Sequence, residues 1–343
     1  MQFLPDTSLR PYSTMRLGGN ATYLTEVRDR NDLTEALSWA EQHQLPVIMI
    51  GGGSNIVWRD EGCQGLVIIN RMMRYEVFDE DGINQYVTIG AGENWDSAVA
   101  RMVDAGLSGT EALSLIPGMT GATPIQNVGA YGQEIAETLV TVEAYDSTTR
   151  SFVNIAGIDC EFGYRTSRFK TTDKGRFYIT AITLHLMRSN PKPPFYASLQ
   201  SYLSEHQITN FTPQTIRAAV IEIRSHKLPD PAIVANTGSF FENPIVDKAT
   251  VIQLSGIYEN LPHWEMENSD KFKLSAAWLI EQAGFKNYHD NQTGMATWPN
   301  SPLVFVNEHA KTTADLLKFR QKVTDAVQDK FGVVLEQEPE LLP

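Results

Sequence analysis

Residues 115–132 (LIPGMTGATPIQNVGAYG) combine glycines with hydrogen-bonding side chains and carry almost no charge. No apolar stripe recurs at helical spacing, and several apolar residues favour burial, so the pattern indicates an irregular but buried loop. Buried irregular backbone needs partners for its N–H and C=O groups. A ligand rich in phosphate and ring acceptors would supply them, because glycine lets backbone approach a ligand closely. An ordinary rigid core loop is the alternative interpretation.

A second glycine run follows a short apolar stretch. Residues 47–50 (VIMI) predict a strand that leads directly into Gly51-Gly52-Gly53-Ser54-Asn55. Successive free N–H groups after a strand can bind phosphate. The run does not match the G-x-G-x-x-G fingerprint, since Ile56 stands where the third glycine belongs, and this disfavours a nicotinamide-binding Rossmann unit. A tight structural turn is the alternative.

Two polar–aromatic clusters carry residues capable of chemistry. In residues 162–169 (FGYRTSRF), Arg165 is suited to pair with a carboxylate or to stabilise an enolate, whereas the alternative is a surface arginine beside a core tyrosine. In residues 236–244 (NTGSFFENP), Ser239 lies between a glycine and two aromatics, which suggests a serine in a tight, partly dry turn. It is not in a G-x-S-x-G elbow, and no flanking His or Asp suggests a triad.

Three carboxylates lie near the end of the chain, in residues 335–340 (LEQEPE). A solvated acidic segment is one interpretation, and a catalytic carboxylate is the other.

The elements that must position these residues follow from hydrophobic periodicity and from capping residues. The first predicted helix has Leu33, Ala36, Leu37 and Ala40 on one face and is capped by Asn31 or Asp32. The next two helices are residues 95–105, capped by Asn94, and a helix that begins at Pro213 after Thr212 and ends before Leu228. The last two are about residues 275–283, with Gly284 as the stop, and a helix capped by Thr312 with Asp315 at its third position. The predicted strands are 47–50, 66–69, 75–78, 87–89, 139–145, 151–155, 177–187 and 303–307.

The four motifs at residues 50–55, 116–132, 162–169 and 238–244 resemble, in the same order, those of the UDP-N-acetylenolpyruvoylglucosamine reductase family. Tyr196 lies where the longer type of this family carries a tyrosine loop. The resemblance implies an α+β fold. It consists of a two-lobed FAD-binding domain of the vanillyl-alcohol-oxidase/PCMH type over residues 1–190 (lobes about 1–70 and 71–190) and a smaller α+β substrate-binding domain over 195–343. The proline-rich residues 188–194 are the predicted linker.

The resemblance further implies an enzyme with non-covalent FAD that uses NADPH to reduce UDP-N-acetylglucosamine enolpyruvate to UDP-N-acetylmuramate, a step of peptidoglycan synthesis. By the same resemblance Arg165 and Glu336 stabilise the enolate, with Glu338 as the alternative to Glu336, and Ser239 protonates the adjacent carbon. The implied cofactor-binding residues are Gly51, Gly52, Gly53, Ser54, Asn55, Pro117, Gly118, Gly121, Thr123, Gln126, Asn127, Gly129 and Ile179. The implied substrate-binding residues are Tyr131, Tyr164, Tyr196, Lys227 and Asn243, and no metal site is expected.

The chain departs from the family pattern in places. Asn287 stands where a glycine is usual, and residues 297–302 (TWPNSP) lack the usual histidine-containing pattern. In the tail, the proline of the family motif is displaced by two positions.

Two other functions share the flavin domain. Members of the wider oxidase superfamily can attach FAD covalently through His or Cys, but residues 115–132 contain neither. A flavin- or nucleotide-binding protein without catalysis is the third possibility, which the joint presence of Arg165, Ser239 and Glu336 disfavours.

Composition limits the partners. The 343 residues carry a formal net charge of −13 and no Lys/Arg-rich run, which argues against nucleic-acid and membrane binding. The two cysteines, Cys63 and Cys160, fit no metal spacing or disulfide framework and are expected to be inert core thiols. With no signal-peptide pattern and no long apolar run, we expect a cytoplasmic protein. A monomer is the expected oligomeric state.

Overall fold

A computed structural model describes residues 1–266 and 269–343. The helices are α1 (Arg30–Gln42), α2 (Trp95–Asp104), α3 (Ala197–Glu205), α4 (Pro213–Lys227), α5 (Lys248–Ile257), α6 (Ala276–Ile280) and α7 (Thr313–Phe331). The strands are β1 (Leu4–Ser8), β2 (Asn20–Val27), β3 (Val47–Ile50), β4 (Ile56–Trp58), β5 (Cys63–Asn70), β6 (Tyr75–Asp79), β7 (Asn84–Gly90), β8 (Gly129–Ala130), β9 (Gln133–Glu134), β10 (Leu139–Asp146), β11 (Ser151–Ala156), β12 (Phe177–Met187), β13 (Asn236–Ser239), β14 (Ile245–Asp247), β15 (His263–Glu265), β16 (Lys271–Leu274), β17 (His289–Asp290), β18 (Met295–Trp298), β19 (Ser301–Asn307) and β20 (Glu340–Leu342).

Most helix starts follow the predicted capping residues. The Asn94 side chain accepts from the Ser97 N–H at the start of α2, and Thr312 forms a capping box with Asp315 at the start of α7. The predicted cap of α1 was wrong: Asp29 caps it, because its carboxylate accepts both the Asn31 and Asp32 N–H groups.

The helix predicted over 275–283 is shorter than expected. Ser275 is the N-cap of α6 rather than its first residue, and its side chain accepts from the Trp278 N–H. After Ile280 the backbone widens into a π-type turn, Glu281–Phe285. Gly284 has φ +96° there, so the predicted stop signal acts through a left-handed glycine.

The chain forms two compact units. Unit 1 contains Met1–Thr7, Ala21–Gly52 and Gln64–His226, and unit 2 contains Ser8–Asn20, Gly53–Cys63 and Lys227–Pro343. The proline-rich residues 188–194 lie inside unit 1, as do α3 and nearly all of α4. The division between the units falls instead between His226 and Lys227.

Unit 1 contains two main sheets. The first has the strand order β1-β2-β5-β3, and α1 packs on it through Leu33, Ala36 and Ala40. The second has the order β11-β10-β12-β7-β6, and the apolar face of α2 packs on it. In the second sheet, β7 and β10 bury alternate residues, whereas residues 65–70 of β5 in the first sheet are all buried.

Helices α3 and α4 belong to unit 1 because of their apolar contacts. Leu199 and Leu203 of α3 and Ile216 and Val220 of α4 form a buried cluster that includes Ala112 and against which Tyr131 packs. This cluster anchors the segment after the prolines to the region of the glycine-rich loop.

Unit 2 has a sheet of order β13-β19-β18-β17 and a three-stranded sheet of order β14-β16-β15. Its core contains stacked and edge-on aromatics, with the Phe240 and Phe305 ring centroids 4.6 Å apart and those of Phe305 and Phe319 4.8 Å apart. Strand β20 pairs in parallel with β4, so the last described strand joins a segment from early in the chain.

Cys63 and Cys160 are buried and are not joined in a disulfide, and burial raises the pKa of the Cys160 thiol to about 11, as expected for an inert thiol. Among the described residues, no helix is both long and apolar enough to cross a membrane.

Candidate functional site

Two glycine-bearing segments of unit 1 lie against each other. A Cβ placed on Gly51 would lie 2.9 Å from the Met119 Cβ, and one on Gly52 would lie 3.3 Å from the Gly118 Cα. Side chains at these positions would separate the segments. The structure therefore brings together the two stretches predicted to bind the cofactor. The rest of the first glycine run, Gly53 to Asn55, belongs to unit 2.

The long loop of unit 1 is held by its own side chains. Buried Asn127, at φ +47°, donates to the Glu134 carboxylate (2.7 Å) and the Gly163 carbonyl (3.2 Å). Its side-chain oxygen accepts the Ala136 N–H at 3.1 Å. The Asn127 side chain, predicted to contact the cofactor, thus builds the loop. Thr123 likewise donates to the Thr120 carbonyl at 2.8 Å.

The segment 162–169 lies against this loop. The Ser167 hydroxyl donates to the Ile125 carbonyl at 2.6 Å, and the Arg165 Nη2 donates to the Gly129 carbonyl at 3.0 Å. Arg165 has a left-handed backbone (φ +52°), and its guanidinium lies 5.7 Å from the ring of Tyr164. The structure therefore places the predicted catalytic arginine at the glycine-rich loop.

A second arginine, which the sequence reasoning missed, lies at the same place. Arg224 of α4 donates to the Leu115 carbonyl at 3.3 Å, and its charge acts on the nearby Tyr131 hydroxyl. Tyr131 also meets the ring of Tyr196 edge-on, with centroids 6.0 Å apart. Tyr131 and Tyr196, both predicted to bind substrate, are thus brought together in unit 1.

The electrostatics at Arg224 favour an anion. Burial lowers the pKa of the Arg224 guanidinium, and the neighbouring positive charge of Arg165 lowers it further. Among the described residues, nothing hydrogen-bonds the buried Nε of Arg224. Because arginine stays protonated, two adjacent and partly shielded cations favour a bound carboxylate or phosphate.

The sequence held one signal for this residue. Arg217 and Arg224 are seven residues apart in the helix predicted from Pro213, and that spacing puts both on one helix face. The periodicity of the sequence did not indicate which residues contact that helix face.

In unit 2, Ser239 ends strand β13 and is opposite Val304 of β19. The preceding Gly238 has φ +71°, and its N–H donates to the side chain of buried Asn236 at 2.8 Å. The next residue, Phe240, is fully buried and donates its N–H to the Leu303 carbonyl at 2.8 Å. Pairing with β19 at Ser239 and at Phe240, directly after an irregularity at Gly238, therefore fixes the half-buried serine.

The acidic tail pairs with the same segment. The Glu242 N–H donates to the Glu336 carbonyl at 3.0 Å, and the Glu338 N–H donates to the Phe240 carbonyl at 3.0 Å. The Glu336 side chain is exposed, and that of Glu338 is partly buried. Both candidate carboxylates are thus carried by backbone adjacent to the Ser239 motif.

Three further predicted site residues have surroundings other than those described above. Ile179 is buried in β12, and its carbonyl accepts from the Asn70 side chain at 2.9 Å. The Asn243 side-chain oxygen accepts the Ala276 N–H at 3.0 Å, at the start of α6. Lys227 is exposed at the end of α4 and is the first residue of the last segment of unit 2.

Two family models match the chain. One, described as "FAD binding domain", matches residues 21–150. The other, described as "UDP-N-acetylenolpyruvoylglucosamine reductase, C-terminal domain", matches residues 230–342. Together with the mixed helices and strands, these matches confirm the predicted α+β fold, in which a FAD-binding domain of the PCMH type precedes a second domain.

Curated relatives match over their full length. The UDP-N-acetylenolpyruvoylglucosamine reductase of Chromobacterium violaceum is 37% identical over 343 residues, covering 100% of this chain and 99% of that protein. The protein of the same name from Ralstonia nicotianae is 38% identical, covering 98% of each. The crystal structure of UDP-N-acetylenolpyruvylglucosamine reductase from Thermus caldophilus shares the fold, with a TM-score of 0.69 at 24% identity and full coverage of both chains.

Proposed function

The chain belongs to the UDP-N-acetylenolpyruvoylglucosamine reductase family, and from this premise we propose that it reduces UDP-N-acetylglucosamine enolpyruvate to UDP-N-acetylmuramate with NADPH, in peptidoglycan synthesis. The observation that carries the proposal is 37% identity to a reductase of that name over 100% of the chain. The pair of arginines at the loop of unit 1 adds chemical support, because the substrate carries a carboxylate and a diphosphate.

The residues of unit 1 fit FAD. A Cβ on Gly51 would overlap Met119 and one on Gly52 would press on Gly118, so glycine lets these two backbone segments pack closely, which suits a dinucleotide site. FAD bound there would supply the hydride chemistry between NADPH and the carbon–carbon double bond. The other predicted cofactor-binding residues are part of the same proposal.

We assign anion binding to the arginines. Arg165 pairs with the enolpyruvyl carboxylate and stabilises the enolate charge, and its tie to the Gly129 carbonyl orients the guanidinium. Arg224 offers a second cation, and the tyrosines beside it offer hydroxyl groups. Tyr131, Tyr164, Tyr196, Lys227 and Asn243 complete the proposed substrate-binding set.

We assign proton donation to Ser239. A serine hydroxyl is a weak acid at neutral pH, so the transfer to carbon needs a position fixed before the reaction begins. The pairing of the Ser239 segment with β19 supports such a position. Glu336 is the proposed carboxylate partner, with Glu338 as the alternative, because the tail pairs with residues 240–242.

Three broader features are also proposals. The functional division is a FAD-binding domain over residues 1–190 and a substrate-binding domain over 195–343, consistent with family models that match on either side of residue 190. The substrate and NADPH are both cytoplasmic metabolites, which supports a cytoplasmic location. We propose a monomer, and light scattering on the purified protein tests it.

The proposal is tested by absorbance spectroscopy of the purified protein without oxygen. We expect a yellow protein that bleaches when NADPH is added and regains its colour only when UDP-N-acetylglucosamine enolpyruvate follows. A reduced flavin that ignores the substrate would refute the reductase. Rapid reoxidation by oxygen together with oxidation of an alcohol, and no reduction by NADPH, would favour an oxidase.

A further inference from the structure

Asp96, near the start of α2, holds two parts of unit 1 at once. Its carboxylate accepts both terminal nitrogens of Arg217, at 2.6 and 3.1 Å. The same carboxylate accepts the Leu115 N–H at 2.6 Å. One side chain of α2 therefore ties helix α4 and the first residue of the glycine-rich loop to a common point.

Helix α4 has a second bond to α2. The Gln214 side chain donates to the Val103 carbonyl at 2.6 Å, three residues before Arg217 contacts Asp96. Residues three and seven apart on a helix share a face, so Gln214, Arg217 and Arg224 lie along one side of α4. Two bonds to α2 fix both the rotation and the axial position of that side.

Leu115 connects the Asp96 carboxylate to Arg224. Its N–H is held by Asp96, and its carbonyl accepts from Arg224 at 3.3 Å. Leu115 has φ +57°, a conformation that a branched residue keeps only when its surroundings enforce it. Asp96 supplies that constraint at the N–H side.

We propose that Asp96 is a positioning residue for substrate binding: through Arg217 and Leu115 it sets Arg224 beside Tyr131 and Arg165. Asp96 itself does not touch the substrate. The inference rests on the proposed function, because it assigns to Arg224 the binding of an anionic group of that substrate.

The charge arrangement agrees with this role. Burial by itself raises the pKa of the Asp96 carboxyl, but the bonds from Arg217 and the Leu115 N–H outweigh it, and the pKa lies below its usual value. Asp96 is therefore ionised at neutral pH and neutralises Arg217 in a two-bond pair. Arg224, with one nitrogen unpaired, keeps its charge for a ligand.

The chain offers a matched control for the test. Asp146 accepts both Nε and Nη2 of Arg176, at 3.0 and 2.7 Å, and also the Thr148 N–H at 2.9 Å. It thus repeats the chemistry of Asp96 within unit 1, at the turn between β10 and β11, with no bond to the glycine-rich loop. Asp96→Asn and Asp146→Asn remove the same kind of charge.

We expect Asp96→Asn to raise the KM for UDP-N-acetylglucosamine enolpyruvate about tenfold, while kcat and the rate of flavin reduction by NADPH change less than about twofold. Asp146→Asn should leave all three values near those of the wild type, even where its melting temperature falls. Equal KM values for the two variants would overturn the inference. A wild-type flavin that the substrate does not reoxidise would instead refute the proposed function.

A second variant covers the case in which Asp96→Asn loses its flavin. Arg217→Lys keeps the charge but cannot make the two-bond pair. It should raise the same KM by about threefold. Adding Arg217→Lys to Asp96→Asn should raise the KM little further, because both changes break the same Asp96–Arg217 pair. A KM unchanged by Arg217→Lys would contradict the inference.

Discussion

The two units hold their functional residues by different means. In unit 1, Leu115, Asn127, Tyr131 and Arg165 all have left-handed backbone conformations. In unit 2, Ser239 ends a strand that pairs with β19, and the tail pairs with the segment after it. Left-handed backbone at residues other than glycine is costly and persists only where side chains enforce it. Unit 1 is therefore positioned by side-chain hydrogen bonds and unit 2 by backbone pairing over an aromatic core.

A buried asparagine in each unit makes the difference concrete. Asn127 connects to two other parts of unit 1, one with Glu134 and Ala136 and the other with Gly163. Asn236 stays within residues 229–238 of unit 2: it donates to the Val234 carbonyl at 2.8 Å and the Pro229 carbonyl at 3.4 Å, and it accepts from the Gly238 N–H at 2.8 Å. The Asn127 side chain therefore bonds residues up to 36 positions away in sequence, whereas the Asn236 side chain bonds residues at most seven positions away.

The largest effect is expected at Ser239. Because a positioned general acid contributes about 10²–10⁴ in rate, Ser239→Ala should slow reoxidation of the reduced flavin by substrate to that extent. Flavin reduction by NADPH should stay nearly intact. Anaerobic stopped-flow absorbance measures the two half-reactions separately.

Ser255→Ala is the matched control for Ser239→Ala. It makes the same change in unit 2, at a buried hydroxyl that has no hydrogen-bond partner among the described residues. Both half-reactions should run at wild-type rates in this variant. Equal losses in the two half-reactions of Ser239→Ala would refute the assigned role.

The next largest effect compares the two asparagines. Asn127→Ala breaks three bonds and leaves alanine in a left-handed conformation, so we expect a loss of about 2–4 kcal/mol of stability and weaker FAD retention. Asn236→Ala should cost about 1–3 kcal/mol and leave FAD bound, while substrate-dependent reoxidation slows. Thermal unfolding and the ratio of flavin to protein absorbance give these values. Release of FAD by both variants alike would remove the distinction between the units.

Two glycines sharpen the comparison at a smaller scale. A Cβ on Gly121 of unit 1 would lie 2.5 Å from the Ala91 Cβ, whereas one on Gly238 of unit 2 would meet nothing within 4 Å. Gly121→Ala should cost about 1–3 kcal/mol through overpacking, and Gly238→Ala about 1–2 kcal/mol through its φ of +71°. Asparagine tolerates left-handed backbone, so Gly238→Asn should recover part of the loss and Gly121→Asn should be worse than Gly121→Ala. Melting temperatures in the opposite order would contradict this.

The smallest effect concerns pH. Hydrogen bonds from Arg176 lower the pKa of Asp146 in unit 1, and the bond from Thr312 lowers that of Asp315 in unit 2. A lowered folded-state pKa stabilises the protein above the unfolded pKa of about 3.9, and this stability is lost as pH falls below it. Asp146→Asn should therefore cost about 1–3 kcal/mol at pH 7, and Asp315→Asn about 0.5 kcal/mol.

The stability difference between the wild type and each variant should begin to shrink as the solution is acidified toward pH 3, because the carboxylates of the unfolded chain then bind protons while the folded ones stay ionised. Melting curves of the wild type and both variants between pH 3 and pH 7 measure these differences. A stability difference between wild type and variant that grows as the pH falls would contradict this prediction.

Local features were predictable from the sequence. Strands β3 and β12 have the predicted bounds, and the capping box at Thr312 is formed as expected. The motif containing Arg165 and the glycine-rich loop were each identified, because such residue types carry a local signal. Their contact through the Gly129 carbonyl was not predicted.

Long-range side-chain pairing was not predictable. Arg217 and Asp96 are 121 residues apart, and neither has a neighbour in sequence that indicates the other. Asp29 was missed as a cap because Asp29, Asn31 and Asp32 are all residue types that cap helices. The division into units depends on pairings such as β4 with β20, which composition near the prolines does not reveal.

The pairing of β20 with β4 has a consequence for biosynthesis. Every residue of unit 1 precedes Lys227, whereas unit 2 combines Ser8–Asn20 and Gly53–Cys63 with residues that continue to Pro343. A ribosome therefore exposes all of unit 1 while the partner of β4 is still unsynthesised. Since contacts between distant residues form slowly, the early segments of unit 2 must wait, unpaired, for more than half of translation. Nascent chains arrested far enough beyond residue 226 for unit 1 to leave the ribosome should accordingly resist proteolysis in unit 1 and be cleaved at residues 53–63.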